Sequence, residues 1–241
     1  MSEDSSRLHD LIALAGETSS ERRRELLRGV TDMFFSGETH GPAEMGLFDA
    51  VLGKLASEME VAVRAELADR MSDAEAAPRS LMRRLAADEI EVSRPVLERS
   101  RALSDEDLVQ LARTKGQDHL RAISQRPTVS SVVSDAIVER GDDDTLGLLL
   151  RNSGAELSRK AHDRAADRAA ANPDLHEAVV GREQLPIDLL NEMYFVVEAR
   201  LRDRITSANA AIDPARLEAA LAAGRKRVAL GDGALPADYA E

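Results

Sequence analysis

No cysteine occurs among the 241 residues. That excludes disulfides, thiolate metal ligands and a cysteine nucleophile together. Tryptophan is absent as well, and four Phe and two Tyr are the only aromatics, which leaves little on which bases or sugars could stack. No apolar run approaches the roughly 18 residues that a membrane span requires, so none is expected. The opening twenty residues, MSEDSSRLHDLIALAGETSS, are polar around one short apolar patch and do not read as a signal peptide. A cytoplasmic protein is expected. HExxH, GxGxxG, GxSxG and a Walker lysine loop are all missing.

Charge is plentiful and unevenly placed. Residues 1–78 carry a net −8, residues 79–206 a net −3 and residues 207–241 a net −1, giving −12 for the chain. A net negative chain is repelled by phosphate backbones, so nucleic acid is a disfavoured partner unless the fold collects arginines on one face. The clusters Arg22-Arg23-Arg24, Arg83-Arg84 and Arg225-Lys226-Arg227 are short and sit among acids; they read as solvated helix faces.

Helical periodicity dominates and nothing alternates with period two. Ser6–Ala15 and Ser19–Ser36 read as amphipathic helices, and GETHG (37–41) as a turn after which Pro42 opens a helix. One continuous helix is expected from Pro42 to about Met71, because Phe48, Val51, Leu52, Leu55, Met59, Val63 and Leu67 form a single apolar stripe. Pro78 then breaks the chain.

Beyond Pro78 one local form recurs, an apolar residue followed by a helix-starting one. It is found at Leu103-Ser104, Val129-Ser130, Leu157-Ser158 and Leu185-Pro186, at spacings of 26, 28 and 28 residues. Serine is a preferred N-cap and proline a preferred first helical residue, while the apolar neighbour can staple onto the first turn. Apolar sets follow each start: Leu108, Leu111 and Ala112; Val132, Val133, Ala136 and Ile137; Ala161 and Ala165; Leu189, Leu190, Met193 and Val197. Each start is preceded by a shorter helix, Val96–Arg99, His119–Gln125, Thr145–Asn152 or Leu175–Val180. Paired short helices at a fixed period predict an α-solenoid, whose units bury their faces against one another.

The segment GDDDTLGLLL (141–150) reads as a junction within that pattern. Gly141 is expected to end one helix in the left-handed conformation, and one of Asp142, Asp143 and Asp144 to cap the next. A calcium loop would alternate its oxygens around a glycine and end in a distant Glu; here the chain turns apolar at once.

The phrases LAADEIEVSRPVLERS (85–100), LSDEDLVQLA (103–112), VSDAIVERGDDDTLGLLLRNSGAELS (133–158) and REQLPIDLL (182–190) resemble an uncharacterised bacterial family, a domain of unknown function with HEAT-like helical repeats. The resemblance spans roughly residues 42–205. It implies a fold and brings no reaction, cofactor or catalytic residue with it. The units here are shorter than the ~40–47 residues of an ordinary HEAT repeat.

Histidines 9, 40, 119, 162 and 176 share no helix face at a three- or four-residue step and are read as surface or partly packed side chains. Arg126 and Arg182 fall at equivalent interhelix turns, 56 residues apart. They are expected to bond the carbonyls that end a helix, the alternative being a row of cations offered to an acidic or phosphate ligand. The stripe Ala161, Ala165 and Ala169 suggests close helix packing.

The expected architecture is therefore all-α: an N-terminal helical segment (1–77), a HEAT-like α-solenoid of short helical hairpins (78–206), and a C-terminal helix from Asp213-Pro214 to near Gly231 with a flexible tail (207–241). A charged, aromatic-poor surface suits recognition of another protein or a helical segment. A non-enzymatic scaffold or adaptor without cofactor or metal is expected. Its candidate protein-binding surface is Asp105, Glu106, Ser131, Asp135, Glu139, Arg159, Asp163, Asp188 and Glu192. The alternative is a nucleic-acid-binding or base-repair protein on the same scaffold, which would need a cationic groove with an aromatic or carboxylate at its centre. Homo-oligomerisation through the acidic N-terminal third is a third reading.

Overall fold

A computed structural model of the chain describes residues 20–36, 40–197, 202, 205–206, 209–210 and 212–230. The expected helix Ser6–Ala15 and the tail from Gly231 lie outside the described residues. Those described are all-helical and contain no strand; one isolated parallel bridge joins Val129 to Ala155. The chain divides into two compact units, residues 1–127 and 128–241.

The first unit holds α1 (Ser20–Ser36), α2 (Pro42–Ser57), α3 (Val61–Ser72), α4 (Arg79–Ala86), α5 (Ile90–Arg99), α6 (Asp105–Thr114) and α7 (Gln117–Ser124). Helix α1 packs on α2. Beyond it the hairpins α2–α3, α4–α5 and α6–α7 pack, and three helices also meet the helix two places on: α2 packs on α4, α3 on α5, and α5 on α7. The second unit holds α8 (Ser131–Arg140), α9 (Asp143–Arg151), α10 (Arg159–Ala171), α11 (His176–Val180), α12 (Ile187–Met193) and α13 (Pro214–Leu230), with a 3-10 turn, Pro173–Leu175, ahead of α11. Here α8 packs on α10, α10 on α12, and α9 on α11, while α13 lies against α12.

The helix starts fall where the recurring junctions place them. Ser104, Ser130, Ser158 and Pro186 are N-caps with extended backbone, and Leu103, Val129 and Leu185 before them are buried. The Ser104 and Ser158 hydroxyls accept from the amides of Asp107 and Ala161 at 3.3 and 3.1 Å. Ala77-Pro78 is a further junction of the same form: Ala77 is buried and Pro78 is the N-cap of α4, 26 residues before Ser104. Asp213 caps α13, accepting from the Ala215 and Arg216 amides at 3.0 and 3.2 Å.

Three local expectations are corrected. The stripe from Pro42 to Met71 is two helices, α2 and α3, broken at Glu58–Glu60. Arg23 and Arg24 of α1 bind Glu58 and Glu60, and Arg64 donates to the Met59 carbonyl at 2.7 Å, so three cations pin the corner. Met59 stays buried through the corner, which is why the apolar spacing gave no sign of it. Helix α5 begins at Ile90 and continues through Pro95 instead of starting after it. Gly141 ends α8 at φ −65° and ψ 140°, outside the left-handed region. A Cβ there would lie 2.8 Å from the Ile137 carbonyl oxygen and 3.0 Å from Thr145 Cγ2, so close approach is what demands glycine. Asp142 is the cap, accepting from the Thr145 amide at 2.8 Å.

Adjacent hairpins are hooked together by cations lying on helix C-termini, where unsatisfied carbonyls and the helix dipole favour positive charge. Arg99 reaches the end of α3, donating to Asp69 Oδ1 at 2.6 Å and Ser72 Oγ at 2.7 Å. Lys115 donates to the Ala87 carbonyl after α4, and Arg168 to the Gly141 carbonyl after α8 at 2.9 Å. Arg168 also pairs with Asp143, which takes a further bond from Asn172 Nδ2 at 2.7 Å. Those two bonds hold the Asp143 carboxyl below its usual range.

Candidate interaction surface

The sequence pairs each of these helices with the shorter one before it, as second helices; in the structure the helices at Asp105, Ser131 and Arg159 pack on the one that follows, so the nine candidate residues lie on the first helix of a hairpin. Asp105 and Glu106 belong to the first unit, on the exposed first turn of α6. The other seven belong to the second unit, on α8, α10 and α12.

Several of the seven are engaged within the fold. Asp135 is half-buried and accepts from the Ser158 hydroxyl at 2.6 Å, joining α8 to the cap of α10. Arg159 bridges α10 to α12: Nε donates to Asp163 Oδ1 and Nη1 to Asp188 Oδ1, both at 2.9 Å, and Nη2 also bonds Asp188. This fork lowers the Asp188 carboxyl pKa, and the two acids raise that of Arg159. Ser131 and Glu192 are half-buried, whereas Glu139 is exposed.

Sequence reasoning placed Val132 in the core. It is 62% exposed, the most exposed large apolar side chain among the described residues, on the same helix as Asp135 and Glu139. Adjacent valines point about 100° apart on a helix, so only one can face the core squarely; Val133 is the one fully buried. The spacing could show that one of the pair is exposed but not which. The alanine stripe behaves as read: Ala161, Ala165, Ala166 and Ala169 are buried where α10 meets α8, α11 and α12.

Arg126 and Arg182 both act on carbonyls, but on those of the preceding hairpin instead of their own helix. Arg126 Nη1 donates to the Leu97 carbonyl at 2.5 Å and Nη2 to that of Ser100 at 2.7 Å, beyond the end of α5. Arg182 Nη1 donates to the Leu150 and Asn152 carbonyls, each at 3.1 Å, and Nη2 to that of Ala155, closing α9. Burial lowers both pKa values, and Asp105 partly offsets the effect at Arg126.

The four described histidines each bond a main-chain carbonyl: His40 that of Phe34 (2.7 Å), His119 that of Asp88 (2.9 Å), His162 that of Ser158 (3.0 Å) and His176 that of Ala169 (3.0 Å). His162 and His176 are buried more deeply than the sequence suggested; His9 lies outside the described residues. Among the described residues no three His, Asp or Glu side chains are gathered to hold a metal ion, and no helix is long and apolar enough to cross a membrane.

A protein-family model described as "Uncharacterised protein conserved in bacteria (DUF2336)" matches residues 92–241. The chain belongs to this family. The match starts inside α5, fifty residues later than the resemblance read from the sequence, and continues past its end. Arg126, Arg182 and all nine candidate surface residues lie within it, whereas α1–α4 lie before it. No curated protein and no solved structure matches the chain.

Proposed function

We propose that this DUF2336 chain is a non-enzymatic, cytoplasmic adaptor built of HEAT-like helical repeats, a short-unit α-solenoid that recognises a segment of another protein. The observation that carries this reading is the recurring packing of a helix on the one two places later (α2 on α4, α3 on α5, α5 on α7; α8 on α10, α9 on α11, α10 on α12), with matching capped junctions, in each unit. Units of that kind bury themselves against neighbours and leave the outer face of every first helix free for binding. In the second unit such a face carries exposed Val132 beside Ser131, Asp135 and Glu139, an apolar anchor in an acidic frame. An amphipathic helix or extended segment with a small apolar side chain and flanking Lys or Arg would complement it.

The test is a pull-down from nuclease-treated lysate with the wild-type chain and the Val132→Glu/Glu139→Arg variant, followed by titration of the purified partner. A stoichiometric protein that binds directly and is lost in the variant, with helicity unchanged, is expected. Recovery of nucleic acid alone, or of proteins released by nuclease, would discard the adaptor in favour of a nucleic-acid binder.

A further inference from the structure

Arg126 and Arg182 occupy equivalent turns, but their electrostatic surroundings differ. Asp105, the first residue of α6, offsets the buried charge of Arg126; the first residue of α10 is instead Arg159. Arg182 is 9% exposed, and its Nε is buried without a hydrogen-bond partner. Burial is the one influence that moves its pKa, and the direction is down. Three carbonyls satisfy its Nη groups but supply only partial charge. A buried cation without a counter-ion is costly, and an anion brought to it is correspondingly stabilised.

The same side chain lines a cavity of about 300 Å³ wholly within the second unit, near the lower end of the range that takes small molecules. Leu150 and Ala178, both buried, give it apolar wall. Arg151 adds a second cation, while Glu177 and Glu183 are exposed acids on the same lining. Two cations and two acids around a small apolar wall fit a ligand that carries both signs. A bare anion would meet repulsion from Glu177 and Glu183.

We propose that this cavity binds a small zwitterion of the free amino-acid type, its carboxylate on the Arg182–Arg151 side, its ammonium towards Glu177 and Glu183, and a short side chain against Leu150 and Ala178. The site shares no residue with the proposed protein-binding face and does not depend on it.

The experiment is titration of the full chain by calorimetry and by NMR shift perturbation with each free L-amino acid, with butyrate and butylamine as single-charge probes. Saturable binding of at least one amino acid is expected, weakened about tenfold or more in Arg151→Glu, as loss of a charge-assisted contact with carboxylate implies, and abolished in Ala178→Leu, which fills the cavity. Arg151 is exposed, so that variant keeps the test valid even where substitution at buried Ala178 disturbs folding. No saturable binding of any amino acid would overturn the proposal. So would binding unchanged in Arg151→Glu, or butyrate binding as tightly as the amino acids.

Discussion

The Arg182 guanidinium closes the helix that contains Leu150, its Nη1 donating to the Leu150 carbonyl at 3.1 Å from the next hairpin along the chain. Replacing Arg182 by Met keeps most of the stem and removes the side-chain donor from the Leu150, Asn152 and Ala155 carbonyls, of which Asn152 keeps the Ala155 amide. A loss of about 2–4 kcal/mol is expected from urea unfolding, because buried acceptors lose their partners. Arg126→Met, at a half-buried side chain with two carbonyl bonds, is expected to cost about half as much. Arg182→Lys should recover little, since an ammonium cannot reproduce the planar fork. Stability of Arg182→Met equal to wild type would show that the carbonyls find other donors.

Gly141→Ala tests whether the α8–α9 junction depends on close approach. A Cβ 2.8 Å from a backbone oxygen forces the junction open, for an expected loss of about 1–3 kcal/mol. Gly116→Ala is the control: its backbone is extended like that of Gly141, it caps the start of α7, and nothing lies within 4 Å of its Cβ position. Its cost should stay within a few tenths of a kcal/mol to ~1. Equal losses in the two variants would remove the steric account.

The alanine face of α10 should tolerate no enlargement. Ala165→Leu and Ala169→Leu, at 1% and 0% exposure, are expected to lose about 1–3 kcal/mol or more through overpacking. Exposed Ala170→Leu should change stability by no more than ~0.5 kcal/mol. If all three leave the thermal midpoint unmoved, α10 is not closely packed.

His162 should make stability fall as the medium becomes mildly acidic. Burial, then the Arg182 and Arg159 cations, lower its pKa in the fold against the opposing Ser158 carbonyl and Asp163. Its Nε2 is buried without a partner, so added charge there goes unsatisfied. Above about pH 7 the imidazole is neutral in both states and contributes no slope. Below its ordinary value of about 6.5 the unfolded chain takes the proton first, and folding must expel it, so stability drops until the lower folded-state pKa is passed. The carboxyls of Asp88 and Asp188 are lowered by their Arg bonds, and that of Asp143 by Asn172 and then Arg168; they act in the same direction at lower pH, their contribution being present above ~4 and lost as the pH falls below it. Urea midpoints at about pH 7.5 and 5.5 should therefore differ more for wild type than for His162→Gln. Parallel shifts in the two proteins would refute the assignment.

Much of the local structure was legible in the sequence because it depends on neighbours a few residues apart. Ser104, Ser158, Asp142 and Asp213 cap helices through amides two or three residues on, and residue type and position alone reveal such pairs. The amphipathic stripes and the all-helical class follow from the same short range. What escaped was set by groups distant in the chain. The corner at Met59 is pinned by Arg23 and Arg24 from another helix. Val132 and Val133 differ in burial only through the direction from which α10 packs on α8. The nine candidate surface residues were found as helix positions, but whether each faced solvent or an ion pair depended on the hairpin beside it. Arg126 and Arg182 could be recognised as equivalent by their spacing, yet their carbonyl partners lie 26–32 residues back. The counter-charge beside one and missing beside the other is decided by the first residue of each hairpin. Sequence by itself determined the all-helical class and the capped helix starts at Ser104, Ser130, Ser158, Pro186 and Asp213, because hydrogen bonds and side-chain periodicity act along the chain. Tertiary structure decided which charges are answered and which are not, because burial and Coulomb interaction depend on distance in space.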